Sequence, residues 1–226
     1  MGTTLEVIGA VLTNAAGIAI SPIPIIAVIL MLMSPRAARL GLAFLFGWLV
    51  GILLTTTVFT LLADLLPEQS ASGSRPVLGV VQLALGGGLL LLGWRKWRSR
   101  PAPDVTPELP PWMSKIDGMS VPSAAGLALA LAAVNPKNLL VAAAAGATIG
   151  HGDLNTGATV VTIVVFSFLA GLTVLLPVLF ALFAPIAAAK ALTGIRTWLT
   201  TNNATIMTVL LVVLGVNVIG KGLGAF

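Results

Sequence analysis

The sequence contains no cysteine, one histidine and few charged residues. The absence of thiols excludes disulfides and thiolate chemistry, and a lone histidine, His151, makes no metal cluster. The charged fraction is 8%, whereas ordinary globular domains carry about a quarter. No acid–base pair is visible within the apolar segments. We therefore expect no metal site, no cofactor, no catalytic residues and no enzymatic activity.

Apolar residues are what the sequence has in excess. They make up 58% of the 226 residues, and the mean hydropathy is +1.07. A soluble fold of this length has too little interior for so much apolar surface, but a bilayer can accommodate it. The net charge of +5 arises from basic residues clustered between apolar segments, which indicates membrane topology rather than nucleic-acid binding. The sequence therefore predicts an all-α integral membrane protein.

Six apolar spans can be drawn, each longer than the roughly 17 residues that cross a bilayer. Backbone polar groups find no water in lipid, so each span is predicted to be helical. The spans cover residues 5–33, 40–66, 77–94, 121–149, 156–184 and 204–220.

Positive charge marks alternate connections between the spans. By the positive-inside rule these connections are cytoplasmic, which predicts a multi-pass plasma-membrane protein with both termini outside. Lys221 lies on the other side and counts against this topology. No Lys or Arg precedes the first span, Glu6 lies at its start, and its apolar run exceeds the length of a signal peptide, so we expect it to be retained rather than cleaved. The basic residues concerned are Arg36, Arg39, Arg95, Lys96, Arg98, Arg100, Lys115, Lys190 and Arg196.

A proline-rich connection divides the chain into two halves. We predict a three-helix repeat at residues 1–97, a cytoplasmic linker at 98–120 and a second three-helix repeat at 121–226. Residues 111–117 fit either a short interfacial helix or an irregular loop anchored by one tryptophan. Because three is odd, the second repeat starts from the opposite face, and the two repeats are inverted.

Spans one and four both contain proline in their interior. The first carries Ser21-Pro22-Ile23-Pro24 and the second Asn135-Pro136-Lys137-Asn138, at corresponding places in the two halves. Proline removes a backbone donor and clashes with the preceding turn, so Pro22, Pro24 and Pro136 are predicted to break the helices and act as hinges. A simple proline kink is the alternative. Matching interruptions in inverted repeats point to a transporter's substrate site.

Lys137 is the most unusual residue of these breaks. A lysine at the bilayer centre costs about 2.5–3.5 kcal/mol. Carboxylates are scarce, and Glu6, Asp64 and Asp153 all lie near span ends, so an ion pair within the membrane is poorly supported. We therefore expect its amine to meet an anionic substrate or the freed carbonyls of span one, with snorkelling to the interface as the alternative. The predicted substrate-binding residues are Lys137, Asn135, Asn138 and Ser21, although the two asparagines could simply cap a half-helix.

Other polar and small residues within the spans are expected to serve helix packing. Asn14, Thr55, Thr56, Thr57, Gln82, Ser167 and Asn217 are predicted to form helix–helix hydrogen bonds. Four-residue stripes at Ala43, Gly47 and Gly51, and at Ala142, Gly146 and Gly150, permit close helix approach. We expect this approach within one chain, with dimerisation as the alternative.

The two breaks resemble those of the LysE superfamily of exporters, whose first helix has a double-proline motif and whose second half begins with Asn-Pro-Lys. The chain is more similar still to the glycopeptidolipid-addressing protein (GAP) family, also called Sap. Ile23 stands where amino-acid exporters of the LysE type have glycine, and this bulkier turn argues against a small amino-acid substrate. The segments that carry the GAP resemblance are residues 23–32, 34–37, 44–51, 111–113, 116–117 and 135–140.

The resemblance implies a six-helix export protein that moves envelope glycolipids toward the cell surface. We accordingly predict a transporter of a lipid or lipid-linked anionic metabolite that works by alternating access. The alternatives are a small-solute exporter for an amino acid or cation, or an accessory scaffold of a larger lipid-export complex. The expected partners are membrane lipids and the substrate, with no nucleic acid; a homodimer or a larger complex is left open.

Overall fold

The computed structural model describes residues 3–63, 76–100, 116 and 118–224, except for the side chains of residues 76–78, 81, 82, 85 and 221. Regular structure in these ranges is α-helical, as the sequence predicts. The helices are α1 (Thr4–Ala19), α2 (Pro22–Leu32), α3 (Ala37–Leu61), α4 (Pro76–Arg98), α5 (Val121–Ala133), α6 (Pro136–Gly150), α7 (Thr156–Phe183) and α8 (Pro185–Leu223).

Polar residues fix where several of these helices begin. The side chain of Thr3 accepts a hydrogen bond from the Glu6 N–H while Glu6 accepts one from the Thr3 N–H, which makes a capping box before α1. Ser120 caps α5 by accepting from the Ser123 N–H, and Asn155 caps α7. These side chains satisfy N–H groups that have no partner in the first turn of a helix.

The helices supply three to five candidate membrane spans among the described residues. α3, α7 and α8 are each long and apolar enough to cross a membrane alone. α1 with α2, and α5 with α6, pass the same test as pairs, bent by 59° and 64° respectively. The predicted interruptions of spans one and four are therefore confirmed. α4 covers the predicted third span as a helix, whereas the count of six spans stays a prediction.

The connection between the predicted fifth and sixth spans differs from expectation. Lys190 and Arg196 lie within α8, which begins at Pro185 and is 39 residues long. Proline suits the first turn of a helix because that position needs no N–H donor. Hydropathy alone placed the start of this helix too late, because exposed polar residues lower the hydropathy of its first part without preventing helix formation.

The helices form two compact units. The first contains α1–α3, α5–α7 and the start of α8 up to Arg196, and the second contains α4 and the rest of α8. Within the first unit α3 packs against α2, α5, α6 and α7, and α1 packs against α6 and α7. The core of this unit is therefore built around α3 and α7.

Glycines bring helices of the first unit into close contact. A β-carbon on Gly47 would overlap the carbonyl oxygen of Ala125 in α5, and one on Gly146 would lie 2.6 Å from Cβ of Phe59 in α3. The small-residue stripes thus face neighbouring helices of the same chain, which confirms the expected packing role.

The second unit uses glycine in the same way. A β-carbon on Gly86 of α4 would lie 2.6 Å from Cγ1 of Ile219 in α8, and one on Gly215 would lie 2.9 Å from the Leu90 side chain. The sequence prediction missed this pairing, because neither helix reveals by itself which partner its glycines meet.

The proposed interfacial helix at residues 111–117 lies outside the described residues apart from Ile116, which is buried. The acidic residues Asp64 and Glu68 and the basic residues Arg75 and Lys115 also lie outside them.

Candidate functional site at the helix breaks

The break between α1 and α2 leaves backbone carbonyls without their usual helical donors. The Ser21 N–H, which would pair with the Gly17 carbonyl in a continuous helix, donates to the Ala19 carbonyl instead, at 2.8 Å. The usual donor to the Ile20 carbonyl would be residue 24, but Pro24 has no N–H. Away from water, such carbonyls need partners from elsewhere in the fold.

Lys137 of α6 supplies those partners. Its Nζ donates to the Gly17 carbonyl at 2.6 Å, to the Ile20 carbonyl at 3.3 Å and to Ser21 Oγ at 2.5 Å. An ammonium group has three N–H donors, so these bonds use all of them. Lys137 is only 7% exposed, which excludes snorkelling in this conformation. The amine of the second half therefore binds the break of the first half.

Thr173 of α7 adds a further bond to the first break. Its hydroxyl donates to the Ala19 carbonyl at 2.7 Å. Sequence reasoning missed this residue, because threonine in an apolar helix usually bonds back to its own backbone and nothing local distinguishes Thr173.

The two asparagines of the second break stabilise that break itself. Asn135 Oδ1 accepts from the Lys137 N–H at 3.0 Å and so caps α6. Asn138 Nδ2 donates to the Leu131 carbonyl of α5 at 3.1 Å, across the break. Asn138 is 1% exposed, and its Oδ1 has no hydrogen-bond partner among the described residues. This buried oxygen is an acceptor that the described residues leave available.

A second contact joins the two broken helices one turn away. Asn14 of α1 donates through Nδ2 to the Val141 carbonyl of α6, at 3.2 Å. This bond matches the predicted helix–helix role of Asn14. It also fixes α6 against α1 so that Lys137 reaches the end of α1.

The site has a positive electrostatic bias. The oxygens that accept hydrogen bonds from Lys137 are two carbonyls and one hydroxyl, all neutral, so none of these three contacts cancels the charge of the amine. α2 and α6 both begin here, at Pro22 and Pro136, and a helix N-terminus carries a partial positive charge. These features together favour an anionic group.

The predicted site residues are thus placed in two groups. Lys137 and Ser21 are in direct contact across the two halves, whereas Asn135 and Asn138 bind the backbone at their own break. The hinge prolines occupy the first turns of α2 and α6. The contact between Lys137 and Ser21 joins the two helix breaks. Binding of a substrate by these residues stays a prediction.

The family model described as Sap, sulfolipid-1-addressing protein, matches residues 11–224, which include both breaks and Lys137. The chain belongs to the Sap family. No curated protein and no solved structure matches the chain significantly. Membership in the Sap family and the apolar helices together identify a membrane protein linked to lipid addressing.

Proposed function

We propose that this Sap-family protein is a plasma-membrane transporter that moves a lipid or lipid-linked anionic metabolite by alternating access. The observation that carries the proposal is the contact of Lys137 with the carbonyls of Gly17 and Ile20. A cationic side chain from one broken helix bound at the break of the other is suited to a substrate site that also controls a conformational change.

The packing supports a fold of six spans in two inverted repeats. In such a repeat α1, α2, α3 and α4 correspond, in order, to α5, α6, α7 and α8. A contact between two helices should then recur between their counterparts in the other half. α1 packs on α7 as α5 packs on α3, and α2 packs on α7 as α6 packs on α3. The second unit contains the last helix of each half, α4 and α8. The contact of α1 with α6 has no counterpart of similar extent between α5 and α2, so the exchange holds for the contacts made with α3 and α7.

The family description and the charge of the site favour an anionic lipid over a small solute. The matched family is described as addressing a sulfolipid, and a sulfolipid headgroup is anionic. Lys137 and the two helix N-termini supply the complementary positive potential. We infer a substrate with an anionic headgroup whose acyl chains remain in lipid.

Substrate binding is coupled to helix movement through the donors of Lys137. All three N–H groups of the amine bind α1 or its break in this conformation. An anion can bind the amine fully only by displacing at least one of these acceptors. Substrate binding thereby weakens the link between the two halves, and the proline hinges at Pro22 and Pro136 can change their angle.

A flux assay in liposomes tests this function. Purified protein should accelerate movement of fluorescent sulfatide between leaflets, and Lys137→Met should reduce the rate at least tenfold. Lys190→Met is the matched control because Lys190 is exposed on α8, and it should keep the wild-type rate.

Sulfatide transport by Lys137→Met at the wild-type rate would remove this lysine from the mechanism. Amino-acid efflux measured from the same liposomes separates the lipid transporter from a LysE-type exporter. Efflux without sulfatide movement would refute the lipid proposal.

A further inference from the structure

The C-terminal end of α4, in the second unit, carries a dense cluster of basic side chains. Arg95, Lys96, Arg98 and Arg100 follow one another closely along the chain, and all four are exposed. Cations at this end of a helix complement its partial negative charge. That effect accounts for the sign of the charge, but it does not account for the aromatic residues among which the cations lie.

Two arginines of the cluster are stacked on tryptophan. Arg98 Cζ lies 5.2 Å from the centroid of the Trp94 ring, and Arg100 Cζ lies 3.7 Å from that of Trp97. Both distances are typical of cation–π contacts. An indole on one face of a guanidinium group leaves the N–H groups at its edge available, and these can bind a phosphate through two parallel hydrogen bonds.

The spacing of the tryptophans brings the two stacked pairs side by side. Trp94 and Trp97 are three residues apart in α4, so they are neighbours on the helix surface, with about 5–6 Å between their β-carbons. The two pairs therefore offer two adjacent positions for phosphate. Two phosphates that are joined by a glycerol bridge can occupy both positions at once.

The surroundings of the cluster favour a membrane lipid over a soluble phosphate. Trp94 and Trp97 are themselves exposed, and exposed tryptophan is enriched at the level of lipid headgroups. Leu91 and Leu92 are also exposed, about one turn before the basic residues. Leu91 shares one side of α4 with Arg95, four residues later. A lipid with its phosphates at the arginines can thus lay its acyl chains along these leucines.

The register between α4 and α8 can be read from their glycine contacts. A β-carbon on Gly86 would lie 2.9 Å from the Gly215 carbonyl oxygen, and one on Gly93 would lie 3.6 Å from the Thr208 carbonyl oxygen. Seven residues along α4 thus match seven residues backwards along α8. The two helices are antiparallel and aligned over this stretch.

Continuing this register brings a hydroxyl of α8 to the level of the second stacked pair. The Arg100 N–H still bonds to the Trp97 carbonyl, at 3.3 Å, so the chain keeps close to the helical path. Seven residues beyond Gly93, Arg100 is level with Thr201. Thr201 is exposed and shares its side of α8 with Thr208, so its hydroxyl can donate to a phosphate at Arg100.

We propose that the basic end of α4 binds an anionic phospholipid with two phosphates, of the cardiolipin type. Arg98 and Arg100 each bind one phosphate, and Thr201 donates to the second. The acyl chains lie against Leu91 and Leu92. The positive-inside rule predicts the cytoplasmic leaflet for this site. The lipid is a resident partner of the second unit and not a transported molecule, so the inference goes beyond the proposed function and does not depend on it.

Native mass spectrometry of the purified full chain in detergent tests the site, because it resolves each bound lipid. The probes are cardiolipin and phosphatidylglycerol, compared at equal phosphate concentration. We expect the wild type to bind cardiolipin about fivefold more tightly. Trp94→Leu and Trp97→Leu keep the charge and an apolar side chain, yet each should weaken cardiolipin binding about threefold. Trp198→Leu is the matched control, since Trp198 is exposed on α8 and belongs to neither pair.

A pair of charge variants complements the tryptophan variants. Arg98→Gln and Arg39→Gln remove the same charge from exposed positions, and only Arg98→Gln should lose the preference for cardiolipin. Equal affinity of the wild type for both lipids would overturn the proposal. Full cardiolipin affinity in both Trp94→Leu and Trp97→Leu would also overturn it, as would equal losses in the two arginine variants, because diffuse attraction to positive charge explains either result.

Discussion

At the residue scale, Lys137 shows how a charged side chain is stabilised inside an apolar helix bundle. Its insertion cost of about 2.5–3.5 kcal/mol is offset by three hydrogen bonds, two to carbonyls that the break leaves available and one to Ser21 Oγ. The lysine and the break therefore depend on each other. Removal of the lysine leaves acceptors without donors, and removal of the break leaves the lysine without acceptors.

This dependence predicts a loss of stability in Lys137→Met. Methionine keeps most of the side-chain volume but cannot donate to the Gly17 or Ile20 carbonyl, and one unpaired buried acceptor costs about 1–3 kcal/mol. The free energy of unfolding, measured by titration with sodium dodecyl sulfate, should fall by that amount.

Lys190→Met serves again as the control, since Lys190 is exposed, and should unfold at the wild-type detergent fraction. A Lys137→Met protein as stable as the wild type would show that the break carbonyls do not need the amine.

The sequence predicted a lysine inside an apolar span but left open which groups its amine binds. Its distance from the span ends is a local property, and the lack of a deep carboxylate was visible in the composition. The direction of the Gly17 and Ile20 carbonyls depends on how α1 ends, which tertiary packing decides. The same limit applies to Thr173, whose bond crosses from α7 to the end of α1.

At the element scale, proline makes the broken helices predictable. Each break occurs within three residues of a Ser-Pro or Asn-Pro step, since proline withholds a donor whatever surrounds it. The length of α8 was not predictable from hydropathy, because a helix needs an apolar face rather than an apolar composition.

Replacement of both prolines in the first break should straighten it. In Pro22→Ala with Pro24→Ala, two new N–H groups can pair with the carbonyls of Ile18 and Ile20 and compete with Lys137. Removing a 59° bend between helices of this length separates their outer ends by about 5 Å.

Spin labels can measure this change because the chain has no cysteine of its own. Labels at Leu5→Cys and Met33→Cys, both exposed positions, should report a longer distance in the double proline variant. Pro177→Ala in α7 is the control and should leave the distance unchanged. An unchanged distance in the double variant would mean that packing, rather than proline, holds the bend.

At the scale of the whole molecule, the parity of membrane crossings decides whether the two ends of the chain lie on the same side. Three candidate spans, or five with the two bent pairs, are odd numbers and would place the ends of the chain on opposite sides. If α4 also crosses, the count is six and both ends lie on one side. The exchange of packing partners between the halves favours the even count, and this pairing of distant helices could not be read from local sequence.

Single cysteines placed in the cysteine-free chain should settle the parity. Thr3 and Gly224 are exposed near the two ends, and Ser99 is exposed just after the basic end of α4. With six spans and the basic connection in the cytoplasm, a membrane-impermeant maleimide should label Thr3→Cys and Gly224→Cys in intact cells. It should label Ser99→Cys only after permeabilisation. Labelling of the two ends from opposite sides would refute both the six-span count and the inverted repeat.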